Sequence, residues 1–171
     1  MFDGDIILIH GKSIGAKLIQ FITHSYWNHA AIVVVLDGEP YAVEADISPV
    51  IRRFAIAPPD EMAIYRCPGL TPTDRENIKE IALSYPGTRL YDFLLPMRIF
   101  WRVGIIRGLK LLLQMILHNG APPMSHISDK FVVCSELVQE VYAGAGIPLL
   151  PDDYLLTPGA IVHLPQLERV Y

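Results

Sequence analysis

Cysteine is scarce in this sequence: two residues of 171, Cys67 and Cys134. A chain of this length buries enough surface to fold without a disulfide, and two cysteines cannot make a zinc-spaced cluster. Charge is also thin, with 19% charged residues and a formal net charge of −4. There is no basic stripe and no long run of one sign, so nucleic-acid binding has no electrostatic footprint. Neither H-E-x-x-H nor a paired C-x-x-C occurs, and "THSYWNH" spaces its two histidines off any single helix face. "GKS" at 11–13 lacks the preceding glycine of a phosphate-binding loop. No metal site and no cofactor is expected. The opening "MFDGDIILIHGK" has acids before a short apolar run, where a signal peptide has a basic start and a longer one. The expectation is a cytoplasmic, reducing location, which permits a free reactive thiol. Repeats and low-complexity stretches are absent too.

Apolar residues are plentiful. At 51% they suit one packed domain spanning 1–171. "GDIILIHG" (4–11) reads as a buried strand. Ile14, Leu18, Ile19, Phe21 and Ile22 recur at helical spacing within 12–25, with Ser13 as an N-cap. "HAAIVVVL" (29–36), the turn "DGE" (37–39) and "PYAVEAD" (40–46) form a hairpin pattern. Strands are predicted over 49–56 and 61–67. A helix follows over 71–85, capped by Thr71 or by Thr73, the latter with Glu76 in capping-box position. A last helix is predicted over 133–143, ending near Gly144 and Gly146 with Pro148 beyond. The tail reads as a short turn of helix and a closing strand. Helices packed on an antiparallel sheet make this an α+β pattern.

Between the two later helices the character changes. An apolar insertion occupies about 94–128, and 93–117 is apolar around Arg98, Arg102, Arg107 and Lys110. Those four cations, with Pro96, Gly104 and Gly108, argue against a membrane-spanning helix. The expectation is a docking surface, either in a homo-oligomer or at a membrane surface, with Phe100 and Trp101 in contact.

Cys134 opens the last helix and shares a face with Leu137, Val138 and Val141. It can be a small core hydrophobe. It can also be a thiolate favoured by the unpaired N–H groups of a helix start. A nucleophile needs a base, and among six histidines His29 stands out. It follows the turn "SYWN" and begins a strand, where a side chain is fixed yet can face a cleft. His10, His24, His118, His126 and His163 have no comparable placement. A base needs an orienter, and alternation in "YAVEAD" puts Ala42, Glu44 and Asp46 on one face. A carboxylate in an apolar strand requires a partner. Glu44 could take His29 through Nδ1–H, could pair with Arg52 or Arg53, or could face solvent.

Three segments carry a resemblance: 4–34, "YAVEA" (41–45) and "FVVCSELVQEVYAGAGIPL" (131–149). With "YPGTRLYDF" (85–93), the chain resembles the permuted NlpC-type, papain-like cysteine hydrolases of the YiiX-like group. The resemblance implies a circularly permuted papain-like α+β fold. It implies Cys134 as nucleophile, His29 as general base and Glu44 as orienter, with Tyr91 near the substrate cleft. It implies an enzyme acting on amide or ester bonds, with cell-wall-type peptide or amide bonds favoured. The alternatives are a membrane-associated lipid acyl hydrolase or acyltransferase, and a catalytically silent binding module.

Overall fold

The computed structural model describes residues 1–45, 49–85, 134–151, 154 and 156–171. Within them runs a six-stranded antiparallel sheet. Its strands are β1 (Ile6–Ile9), β2 (His29–Leu36), β3 (Glu39–Ala45), β4 (Pro49–Arg53), β5 (Met62–Arg66) and β6 (Glu168–Arg169), in the order β4-β3-β2-β1-β5-β6. Helix α1 spans Ile14–Thr23, α2 Pro72–Ser84, α3 Cys134–Gly144 and α4 Pro158–Ile161. The α+β class is thus as expected. Among the described residues no helix is long and apolar enough to cross a membrane.

The unbroken apolar run of β1 reflects its central place. Ile6 and Leu8 face a core built with Ala30, Ile32 and Val43 of the sheet and with Ile78, Leu137, Val138, Val141 and Tyr142 of α2 and α3. Ile7 faces the opposite side, where Ala31, Val33, Ala42 and Met62 form a smaller cluster. Side chains alternate across a strand, so a strand covered on both faces is apolar at every position. The β2–β3 turn is set by Asp37 (φ 52°) and Gly38 (φ 81°). Two successive positive φ values are what a primed hairpin turn requires, and Asp-Gly supplies them at little cost.

Of the two helix caps expected, one holds and one is decided between its alternatives. Ser13 does cap α1, accepting from the Ala16 N–H. In α2, however, the cap is Thr71 and its reciprocal partner is Asp74; Thr73 and Glu76 do not form the capping box. Pro72 at the first helical position, where no intrahelical N–H bond is lost, favours the earlier start. The apolar insertion and the docking segment 93–117 lie outside the described residues.

The "GD" at the head of β1 is an anchor. Asp5 is fully buried and takes Arg66 Nε (2.8 Å) and Nη2 (2.7 Å), one on each carboxylate oxygen. The Phe2 N–H adds a third bond at 2.9 Å, and the Arg66 guanidinium stacks 4.4 Å from the Phe2 ring. The Tyr142 hydroxyl donates to the Gly4 carbonyl, joining α3 to the same point. A buried carboxylate stripped of its cation is an uncompensated charge. Arg66→Met keeps the apolar stem and should lower the unfolding free energy by roughly 3–5 kcal/mol. Urea denaturation checks this, and a loss below about 1 kcal/mol, the worth of an exposed pair, would remove the anchor role.

Candidate active site

Three elements end at one place. α1 terminates at His24 in the left-handed region (φ 47°), which turns the chain toward β2. The connecting turn is pinned side chain by side chain. The Ser25 hydroxyl accepts the Trp27 N–H at 3.0 Å, and Trp27 is buried in the main core. Tyr26 stacks on His10 with centroids 4.0 Å apart and donates its hydroxyl to the Asp60 carbonyl at 2.7 Å. The Asn28 side-chain oxygen accepts from the Gly11 N–H and from Gln20 Nε2. Gly11 is required here, because a β-carbon would lie 2.9 Å from that of Ala16 and 3.1 Å from the Asn28 oxygen. His29 therefore enters β2 from a fixed turn.

Glu44 arrives through the sheet. The β2–β3 rungs run from Leu36↔Glu39 to Ile32↔Val43. One step further along, Glu44 is level with Ala31, so His29 is its diagonal neighbour on the same face. The pair closes at 2.9 Å between His29 Nε2 and Glu44 Oε2. This corrects the expected use of Nδ1: the carboxylate takes the outer ring nitrogen. Cys134 lies beside the same imidazole, close enough for its charge and its hydrogen bonding to raise the ring's proton affinity. Arg52 Nε sits 3.3 Å from the other Glu44 oxygen, so the carboxylate serves two of the partners that the sequence offered. Arg53 turns the other way and donates to the Tyr41 hydroxyl at 3.1 Å.

Cys134 is the first residue of α3 and is buried, as are Leu137, Val138 and Val141 on its face. The two readings of this cysteine are compatible, since its helix face is core while its sulfur meets the start of β2. The sulfur accepts N–H groups from Ser135 and from Ala30. Ala30 lies beyond the last β2–β3 rung, which leaves its N–H available. The helix is held from outside as well: the Ser135 hydroxyl donates to the Leu156 carbonyl at 2.6 Å, and Gln139 bonds both Tyr154 and Leu156.

Charge follows from this geometry. Burial opposes a charged imidazole, but the Cys134 thiolate, by charge and hydrogen bond, and then Glu44 outweigh it. His29 is raised from the ordinary 6.5 to about 10. Burial likewise opposes the thiolate, yet the His29 imidazolium and the two N–H groups hold Cys134 below the usual thiol range. The hydrogen bond from His29 also lowers Glu44 against its own burial, with the charges of His29 and Arg52 adding to it. His29 and Cys134 thus each favour the charged form of the other, with the Glu44 carboxylate behind the imidazole.

The structure brings together Cys134, His29 and Glu44. Tyr91, Asp46, His118 and His126 lie outside the described residues. Arg52 had been only one of several partners for Glu44. The Ala30 N–H had no side-chain signal at all, being a backbone group exposed by the end of a ladder.

Among solved structures the chain is similar to the metalloprotein YiiX from Escherichia coli O157:H7. The identity is 22% over 99% of this chain and 96% of that one, with a TM-score of 0.71. That likeness shows the fold, and the fold is that of the YiiX-like resemblance. No family model matches the chain, and no curated protein matches it. Among the described residues no group of three or more His, Cys, Asp or Glu could hold a metal ion.

A thiolate held by His29 should alkylate on a plateau at neutral pH. The acid-side midpoint for iodoacetamide at Cys134 should fall below the ordinary thiol value of about 8.5. His29→Ala removes the cation but keeps the burial, and should move that midpoint to about 8.5 or higher. A wild-type rate still climbing steeply through pH 7 to 8 would contradict the ion pair.

Proposed function

We propose that this protein is a cysteine hydrolase or acyltransferase acting on amide or ester bonds, with Cys134 as nucleophile, His29 as acid and base, and Glu44 as orienter. The observation that supports this most is the hydrogen-bonded line Cys134–His29–Glu44 at the start of a helix. The order of parts, with the histidine and glutamate strands ahead of the cysteine helix, is read as a circularly permuted papain-like arrangement. All three positions are filled, which favours an enzyme over a silent binding module.

The chemistry has two halves. The Cys134 thiolate attacks the substrate carbonyl carbon, forming a C–S bond and a tetrahedral oxyanion beside the N–H groups at the start of α3. Collapse breaks the C–N or C–O bond, and His29 gives its proton to the departing amine or alcohol. Neutral His29 then takes a proton from water or another acceptor, which attacks the thioester carbonyl. That attack releases the acyl group and regenerates the thiolate. Glu44 keeps the imidazole in register and stabilises its charged form throughout.

Cell-wall-type peptide or amide bonds are the favoured substrate. One observation favours an acyl lipid as the alternative. Ile14 and Phe21, seven residues apart on α1, are 88% and 69% exposed, and α1 leads into the turn before His29. Both cysteines are free thiols, in keeping with a cytoplasmic, reducing location.

Incubation with peptidoglycan fragments and with acyl lipids, followed by mass spectrometry of the intact chain, should reveal an acyl adduct on Cys134 from one class. Cys134→Ser should keep the fold and lose turnover, because a hydroxyl is a far weaker nucleophile near neutral pH. His29→Ala should cost about 10²–10⁴-fold and Glu44→Gln less. Wild-type turnover in Cys134→Ser, or near-wild-type rates in both other variants, would end this mechanism.

A further inference from the structure

We propose that Arg52 is a positioning residue of this site: by holding one oxygen of Glu44 it keeps the other on His29. The inference deepens the thiol reading above and rests on it. Its basis is the division of one carboxylate between two partners. Oε2 meets His29 Nε2 at 2.9 Å, and Oε1 meets Arg52 Nε at 3.3 Å. The sheet builds this arrangement. β4 pairs with β3 so that Arg52 is opposite Ala42 and Val50 opposite Glu44. Arg52 is thus diagonal to Glu44 on the face that His29 shares from the other side. A shift of one residue along β4 reverses the face, and Arg53 accordingly bonds Tyr41 and not Glu44.

The geometry matters because a glutamate has several rotatable bonds, and freezing them costs free energy each time His29 must be met. A carboxylate anchored at both oxygens has already lost that freedom. The glutamate side chain is only 16% exposed, while that of Arg52 is 55% exposed. Positioning thus comes from the solvent side, from a residue that need not touch substrate.

Among the described residues the groups facing Glu44 are His29 from β2 and Arg52 from β4, with Cys134 of α3 beyond the imidazole. Removing the Arg52 charge makes Glu44 easier to protonate and the thiolate harder to form. Both effects move the acid-side limit of the site upward. Partial exposure of Arg52 lets solvent screen the effect.

The test is the pH dependence of iodoacetamide alkylation at Cys134 in the full chain, with thermal melts alongside. Arg52→Met should raise the acid-side midpoint by about half a unit to one unit, less than the 1–3 units of a close unscreened pair. Arg52→Lys should return the midpoint toward wild type, which a merely structural loss would not do. Arg53→Met, one residue away on the other face, should leave it unchanged. If Arg52→Met does not fold, Arg52→Gln gives the same comparison without the charge. A midpoint equal to wild type in a folded, uncharged Arg52 variant overturns the inference while leaving the thiol reading intact. A wild-type chain with no low-pH plateau overturns the thiol reading itself, and the role of Arg52 with it.

Discussion

The pairing of His29 with Cys134, in which each group favours the charged form of the other, is the interaction around which the rest is arranged. Two buried charges are tolerable only when each is matched and hydrogen-bonded. The matching uses separate parts of the chain. α3 contributes the sulfur and the Ser135 N–H, β2 the imidazole and the Ala30 N–H, and β3 the carboxylate. Each must reach the same end of the sheet within hydrogen-bond tolerance. That demand accounts for the pinned turn at 24–28, while the buried Asp5–Arg66 pair ties β1 to β5 at the other end of β1.

Much of this was legible in the residues. β2 begins and ends where the β-rich run "HAAIVVVL" placed it, and the Asp-Gly turn fixed where β3 returns. The stripe Cys134, Leu137, Val138, Val141 gave α3 its buried face. These are short-range signals, in which side-chain period and turn chemistry decide the outcome without reference to distant partners.

What escaped depends on register. His29 meets Glu44 through Nε2 as a diagonal neighbour across two strands, a placement that no single strand reveals. The β4 alternation offered Arg52 and Arg53 equally, and only the β3–β4 pairing separates them. The Ala30 N–H donor exists because a ladder stops, a property of two strands together. The acid of "GD" looks from sequence like part of a motif, but its partner Arg66 lies 61 residues away. Thr71 prevailed over Thr73 as the cap because Pro72 fits the first helical position, a preference easily overlooked beside Glu76.

The proposed chemistry stands or falls on the charge of one ring. An NMR titration of histidine ring nitrogens, with His29 assigned by comparison with His29→Ala, reads that charge directly. The structure predicts an imidazolium that persists through neutral pH and titrates near 10. In Cys134→Ser, where the thiolate is gone, it should titrate markedly lower. A His29 that loses its proton near the ordinary value of about 6.5, in wild type and Cys134→Ser alike, would contradict the ion pair.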